Sequence, residues 1–124
     1  MKSEYSGIEV YVTKDGSLIR ELMHPDKCSE SRFGVEKQSL AEATVPVGVK
    51  TKLHRHQVSE ELYHVTAGEG LMRLAEEQFN VVEGDTVCIP PGTPHCISNT
   101  GKTDLRILCC CSPAYSHEDT EMLE

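Results

Sequence analysis

Apolar positions along this chain come in short runs of strand length, many alternating with polar ones, and glycine or proline interrupts them at close intervals. The runs predicted as strands are "IEVYVT", "SLAEATVPV", "KTKLHRH", "ELYHVTAG", "GLMRLA", "EQFNVVE", "DTVCIP", "HCISNT" and "DLRILCCC". One stretch departs from this pattern: "GSLIRELMHPDKC", from Gly16 to Cys28, predicts a helical turn closed by Pro25. Many short strands separated by turn residues predict an all-β, antiparallel sandwich or barrel built of hairpins. No linker, low-complexity tract or long repeat breaks the 124 residues, so 1–124 is expected to be one domain. Within it the barrel core should span about 37–112, after a strand-and-turn segment over 1–36 and before a polar tail over 113–124. The final "SHEDTEMLE" is expected to be solvated.

Strand parity gives the polar positions a direction. His54 and His56 are two apart, so in a strand both imidazoles leave the same face while Arg55 leaves the other, and a shared metal becomes geometrically possible. Glu61 has the wrong parity for the same straight strand, so "QVSE" must turn the chain before the next strand begins. On that second strand Glu61, Tyr63 and Val65 share a face, and Leu62 and His64 take the opposite one. Glu60 is a rival carboxylate that parity alone does not exclude. Further on, "GDTVCIPPGTPHCISN" combines a Gly84–Asp85 turn, two stiffening prolines and Gly92, which bends the chain so that His95 turns back toward the core.

Charge narrows the partners. Twelve Lys and Arg against twenty Asp and Glu leave a net charge of −8, which repels both a phosphate backbone and an anionic membrane surface. The amino-terminal segment lacks an apolar signal core, and no run approaches the ~20 apolar residues of a spanning helix, so a cytoplasmic location is expected. The six cysteines then read as reduced thiols. No CxxC pair exists, and Cys109, Cys110 and Cys111 are consecutive in a strand, where they serve as small apolar residues rather than as a zinc site.

Two stretches carry a resemblance. "GVKTKLHRHQVSEELYHVTAG" has the spacing G(x)5HxH(x)4E(x)6G, and "GDTVCIPPGTPHCISN" has G(x)5PxG(x)2H(x)3N. Both resemble the two motifs of the cupin superfamily, complete and in order, and the rest of the chain is similar to small single-domain cupins described as mannose-6-phosphate-isomerase-like. The resemblance implies a jelly-roll (double-stranded β-helix) barrel. It also implies one divalent transition metal (Fe, Mn, Zn, Ni or Cu) held by His54, His56, Glu61 and His95, with two adjacent coordination positions left for substrate, water or dioxygen.

On that reading the protein is a metal-dependent enzyme acting on a small polar organic molecule, by dioxygenase chemistry or by Lewis-acid isomerisation, cyclisation or decarboxylation. The alternative class is a non-catalytic binding or sensing module. Tyr63, on the ligand face, is the candidate substrate contact. His64 is expected to be packed or at an interface. His24 and His117, in or near loops, are expected at the surface, with the mouth of the barrel as the alternative; Arg73 is expected at the surface, and Cys88 and Cys96 without catalytic roles. Cupins of this kind commonly pair, so a homodimer is expected, with "IEVYVT" covering a neighbour's sheet edge.

Overall fold

The computed structural model describes all of residues 1–124. The strands, in chain order, are β1 (Val10–Val12), β2 (Leu18–Met23), β3 (Ser39–Val45), β4 (His54–His56), β5 (Glu60–Ala67), β6 (Glu69–Leu74), β7 (Glu77–Val82), β8 (Thr86–Ile89), β9 (His95–Asn99), β10 (Leu105–Ser112) and β11 (Thr120–Met122). They form a six-stranded sheet in the order β1-β2-β3-β10-β5-β8 and a five-stranded sheet in the order β11-β4-β9-β6-β7. Every pairing is antiparallel, and the two sheets face each other as a jelly roll. No helix is long and apolar enough to cross a membrane.

The alternation anticipated for β5 holds residue by residue: Glu61, Tyr63 and Val65 are buried, while Glu60, Leu62 and His64 are exposed. Gly68 closes the β5–β6 connection at φ 84°, where a Cβ would come within 2.7 Å of the Asp104 carbonyl oxygen. The core is continuous across both sheets, with Val45, Val65, Met72, Ile89, Leu105 and Ile107 almost fully buried. Each such side chain contributes about 1.5–3 kcal/mol through its removal from water.

Three expectations are corrected. The helical turn anticipated in Gly16–Cys28 is instead strand β2, followed by a short 3-10 turn at Pro25–Lys27. Leu18, Ile19, Leu22 and Met23 fit a helical face locally, but hydrogen bonding to β1 on one side and β3 on the other decides for the sheet. The run "KTKLHRH" is a strand only at His54–His56. The ending "SHEDTEMLE" is not a solvated tail: β11 pairs with β4 in the register Thr120–His56, Glu121–Arg55 and Met122–His54. The Asp119 carboxylate accepts from the backbone N–H groups of Val58 and Ser59, and Glu121 pairs with Arg55 at 2.8 Å. At one edge of the six-stranded sheet, β1 pairs with β2 of its own chain and leaves Val10 and Val12 exposed.

Candidate metal centre and pocket

Three short segments converge on one buried point. β4 supplies His54 and His56, β5 supplies Glu61, and the start of β9 supplies His95, which lies opposite His54 in the ladder. Pro90, Pro91 and Gly92 form the bend before β9, with Gly92 at φ 76° and its N–H bonded to the His56 carbonyl at 2.6 Å. The bend is therefore tied directly to the strand that carries the other histidines.

The histidine nitrogens that approach one another on His54, His56 and His95 lie within 4.8 Å. Each outer nitrogen is engaged. His54 Nδ1 donates to the Lys52 carbonyl at 2.8 Å, and His95 Nδ1 donates to the Thr93 carbonyl at 2.9 Å. His56 Nδ1 lies 3.0 Å from the Thr120 hydroxyl, which itself donates to the Ser116 carbonyl at 2.8 Å and so accepts from the imidazole. These bonds select one tautomer and leave an unprotonated Nε2 pointing inward on each neutral ring.

Glu61 Oε1 faces His56 Nε2 at 3.2 Å and His95 Nε2 at 3.5 Å. With the Nδ1 protons committed elsewhere, acceptor stands against acceptor. Glu61 Oε1 and His95 Nε2 are accordingly buried without a hydrogen-bond partner. Burial pushes the Glu61 carboxyl up, but with His56 and His95 protonated their donated bonds and charge outweigh it and pull the group down to about 2, so Glu61 favours a cation at this point, whether a proton on each imidazole or a bound ion. Burial and the neighbouring His95 push His54 down, toward the neutral form that a ligand requires. A cation bound between these groups would satisfy every orphaned lone pair, so the donor set fits a divalent metal.

Cys111 donates its thiol to Glu61 Oε2 at 3.2 Å, and burial together with the Glu61 charge holds that thiol protonated. It thus orients the carboxylate, a role that its strand position alone did not suggest. Beside the centre opens a narrow pocket, partly continuous with solvent. Tyr63 lines it, its ring centroid 5.9 Å from that of His95, and burial pushes its phenol up so that it stays protonated.

Among the wall residues that escaped the sequence reading are Tyr11, Asp15, Glu21 and Tyr115. Asp15 sits in the β1–β2 hairpin tip, where Asp-Gly reads only as turn chemistry. Its Oδ1 accepts from the Ser17 N–H and hydroxyl, and its Oδ2 lies 3.9 Å from His54 Nε2. The tip is stitched to the carboxy-terminal segment through Lys14 Nζ on the His117 carbonyl at 2.8 Å, and to the ligand loop through the Lys52 N–H on the Asp15 carbonyl.

Other assignments sort cleanly. Arg55 and Glu60 face away from the centre, and Arg73 lies on the side of β6 opposite buried Met72. His64 is exposed rather than packed and contacts the Thr86 hydroxyl at 2.8 Å. His24 is largely buried rather than at the surface: Nε2 donates to the Tyr115 carbonyl at 2.7 Å while Nδ1 accepts from the Asp26 N–H. His117 is exposed, and its Nδ1 is 3.0 Å from the Tyr115 hydroxyl. All six cysteines are free.

An uncharacterized protein of Methanocaldococcus jannaschii is 59% identical over 124 residues, covering 100% of this chain and 95% of its own length. Two solved structures share the fold. A predicted oxalate decarboxylase of Thermotoga maritima superposes with a TM-score of 0.76 at 23% identity, over 91% of this chain and 99% of its own. Streptomyces Pac13, a nucleoside dehydratase solved as a variant with uridine, superposes at 0.78 with 16% identity, over 99% of this chain and 90% of its own. The family model for the cupin domain matches residues 41–111, more than half of the chain and both motif stretches, and the chain belongs to that family.

Proposed function

We propose that His54, His56, Glu61 and His95 hold one divalent transition metal, and that the adjoining pocket takes a small polar organic molecule on which the protein acts as an enzyme. The observation that carries this reading is the inward set of unprotonated histidine nitrogens facing an orphaned carboxylate oxygen. Bound there, such an ion supplies Lewis acidity and, for iron, nickel or copper, access to dioxygen chemistry.

The chain's own groups do the rest. Glu61 would offset part of the ion's charge and is steered by the Cys111 thiol. Thr120 and the two loop carbonyls hold the histidines in one tautomer. Tyr63, kept protonated by burial, offers a donor to a bound molecule, and buried Val87 and Ile89 on neighbouring β8 pack beside Tyr63 and Glu61. Proteins of this fold carry different names, an oxalate decarboxylase and a nucleoside dehydratase among them, so the substrate follows from the wall residues and not from the fold.

Elemental analysis of protein purified without added metal tests the centre. The expected result is near-stoichiometric transition metal in the parent and loss of it in both His54→Ala and Glu61→Ala. Equal metal content in all three proteins would remove the assignment. Oxygen uptake with diketone and thiol substrates then separates oxygenase from Lewis-acid chemistry, and tight binding without turnover would place the protein among the binding modules.

A further inference from the structure

The proposed ligands leave the carboxylates on the opposite wall unexplained. Glu21 on β2 is only 7% exposed and lines the same pocket. Tyr11 donates its hydroxyl to Glu21 Oε2 at 3.3 Å, whereas Oε1 is buried with no partner. Burial raises the Glu21 carboxyl above the ordinary range, as for a group short of donors.

Sheet register shows what lies in front of it. Glu21 is abreast of Ala41, Ala41 of Cys109, and Cys109 of Tyr63, all on the inner face. Two small side chains therefore separate carboxylate from phenol across three strand spacings of about 4.8 Å each. These small side chains form a low floor to the pocket between Tyr63 and Glu21.

The charges on this wall are one-sided. Lys14 is the sole Lys or Arg lining the pocket, and its ammonium is spent on the His117 carbonyl. Facing it are Asp15, Glu21 and Glu61. Even with Lys14 counted, a divalent ion at the histidines would bring this wall only to neutrality, with no positive charge left for a dianion. Hydroxyl groups are plentiful by contrast, from Tyr11, Thr13, Ser17, Ser39, Tyr63 and Tyr115.

Building on the metal reading above, we infer that the pocket takes a neutral polyhydroxylated molecule, one of whose hydroxyls is donated to Glu21 Oε1, and that Glu21 excludes small dicarboxylates. Glu21 is thus a specificity-determining residue.

Titration calorimetry with D-ribose and with oxalate, on protein carrying its resident metal, tests this. The parent should bind ribose more tightly than oxalate. Glu21→Gln, which keeps shape and removes charge, should weaken ribose and strengthen oxalate by about tenfold each. Glu21→Asp, which withdraws the carboxylate but keeps its charge, should weaken ribose and leave oxalate excluded. Tighter oxalate than ribose in the parent, or indifference of both ligands to Glu21→Gln, overturns the inference. Metal content measured on the same samples separates the two readings: full metal with the wrong ligand preference defeats this inference alone, and absent metal defeats the proposed centre.

Discussion

The two ends of the six-stranded sheet are made by the same strands yet carry opposite chemistry. Along β5 the inward residues run Val65, Tyr63, Glu61; along β10 they run Leu105, Ile107, Cys109, Cys111; along β3 they run Val45, Ala43, Ala41, Ser39. Register aligns them into rows. Val65 and Ile107 meet Ala43 at the apolar end, and Glu61 and Cys111 meet Ser39 at the other. At the apolar end side-chain volume fills the barrel. At the polar end small and polar groups leave a pocket, and buried atoms there remain without partners. The contrast assigns stability to one end and binding to the other, since a fully packed, fully paired interior has no vacancy for a ligand.

The comparison can be broken first at the apolar end. Leu105 is 0% exposed, and Leu105→Ala should destabilise the fold by about 2–5 kcal/mol in chemical denaturation, while metal content at temperatures where the variant stays folded is unchanged. Metal loss from the folded variant would show that the two ends are not separable.

A smaller effect is expected at the polar end. Thr120→Val removes the acceptor for His56 Nδ1 at nearly constant volume, and metal affinity in a competition titration should fall about 10–100-fold with little change in fold. Unchanged affinity would mean that β11 only covers the sheet edge.

The smallest effect sharpens the idea of unpaired polarity. Because the Glu21 carboxyl is raised in the folded protein, the stability tied to its protonated form is present below the ordinary glutamate value of about 4.3 and is lost as pH rises through the folded value. Glu21→Gln cannot ionise. In metal-free protein its stability relative to the parent should therefore increase as pH is raised from acid toward neutral, by roughly 1 kcal/mol at most. A difference that does not vary with pH would show that Glu21 is fully satisfied.

Much of the centre is legible in the chain itself because it obeys local rules. Two-residue periodicity orients His54 with His56 and Glu61 with Tyr63, and a Pro-Pro-Gly bend marks the turn that returns His95. Hairpin spacing likewise anticipates β5 through β10. The misreadings fall where partners distant in sequence decide. Leu18–Met23 has no local reason to prefer a strand over a helical turn until β1 and β3 bond to it. Thr120–Met122 is polar enough to look solvated, yet β4 supplies a ladder that makes Thr120 a partner of His56, 64 residues away.

What the sequence by itself determined, then, is the all-β class, the two motif-bearing segments and the faces from which His54, His56 and Glu61 project, because strand parity and turn stereochemistry act over a few residues. Tertiary structure alone decided which carboxylates line the pocket, which thiol steers Glu61, and that the final strand completes the histidine shell. Those contacts join residues from opposite ends of the chain, and their geometry depends on how the sheets close rather than on any pattern within a single segment.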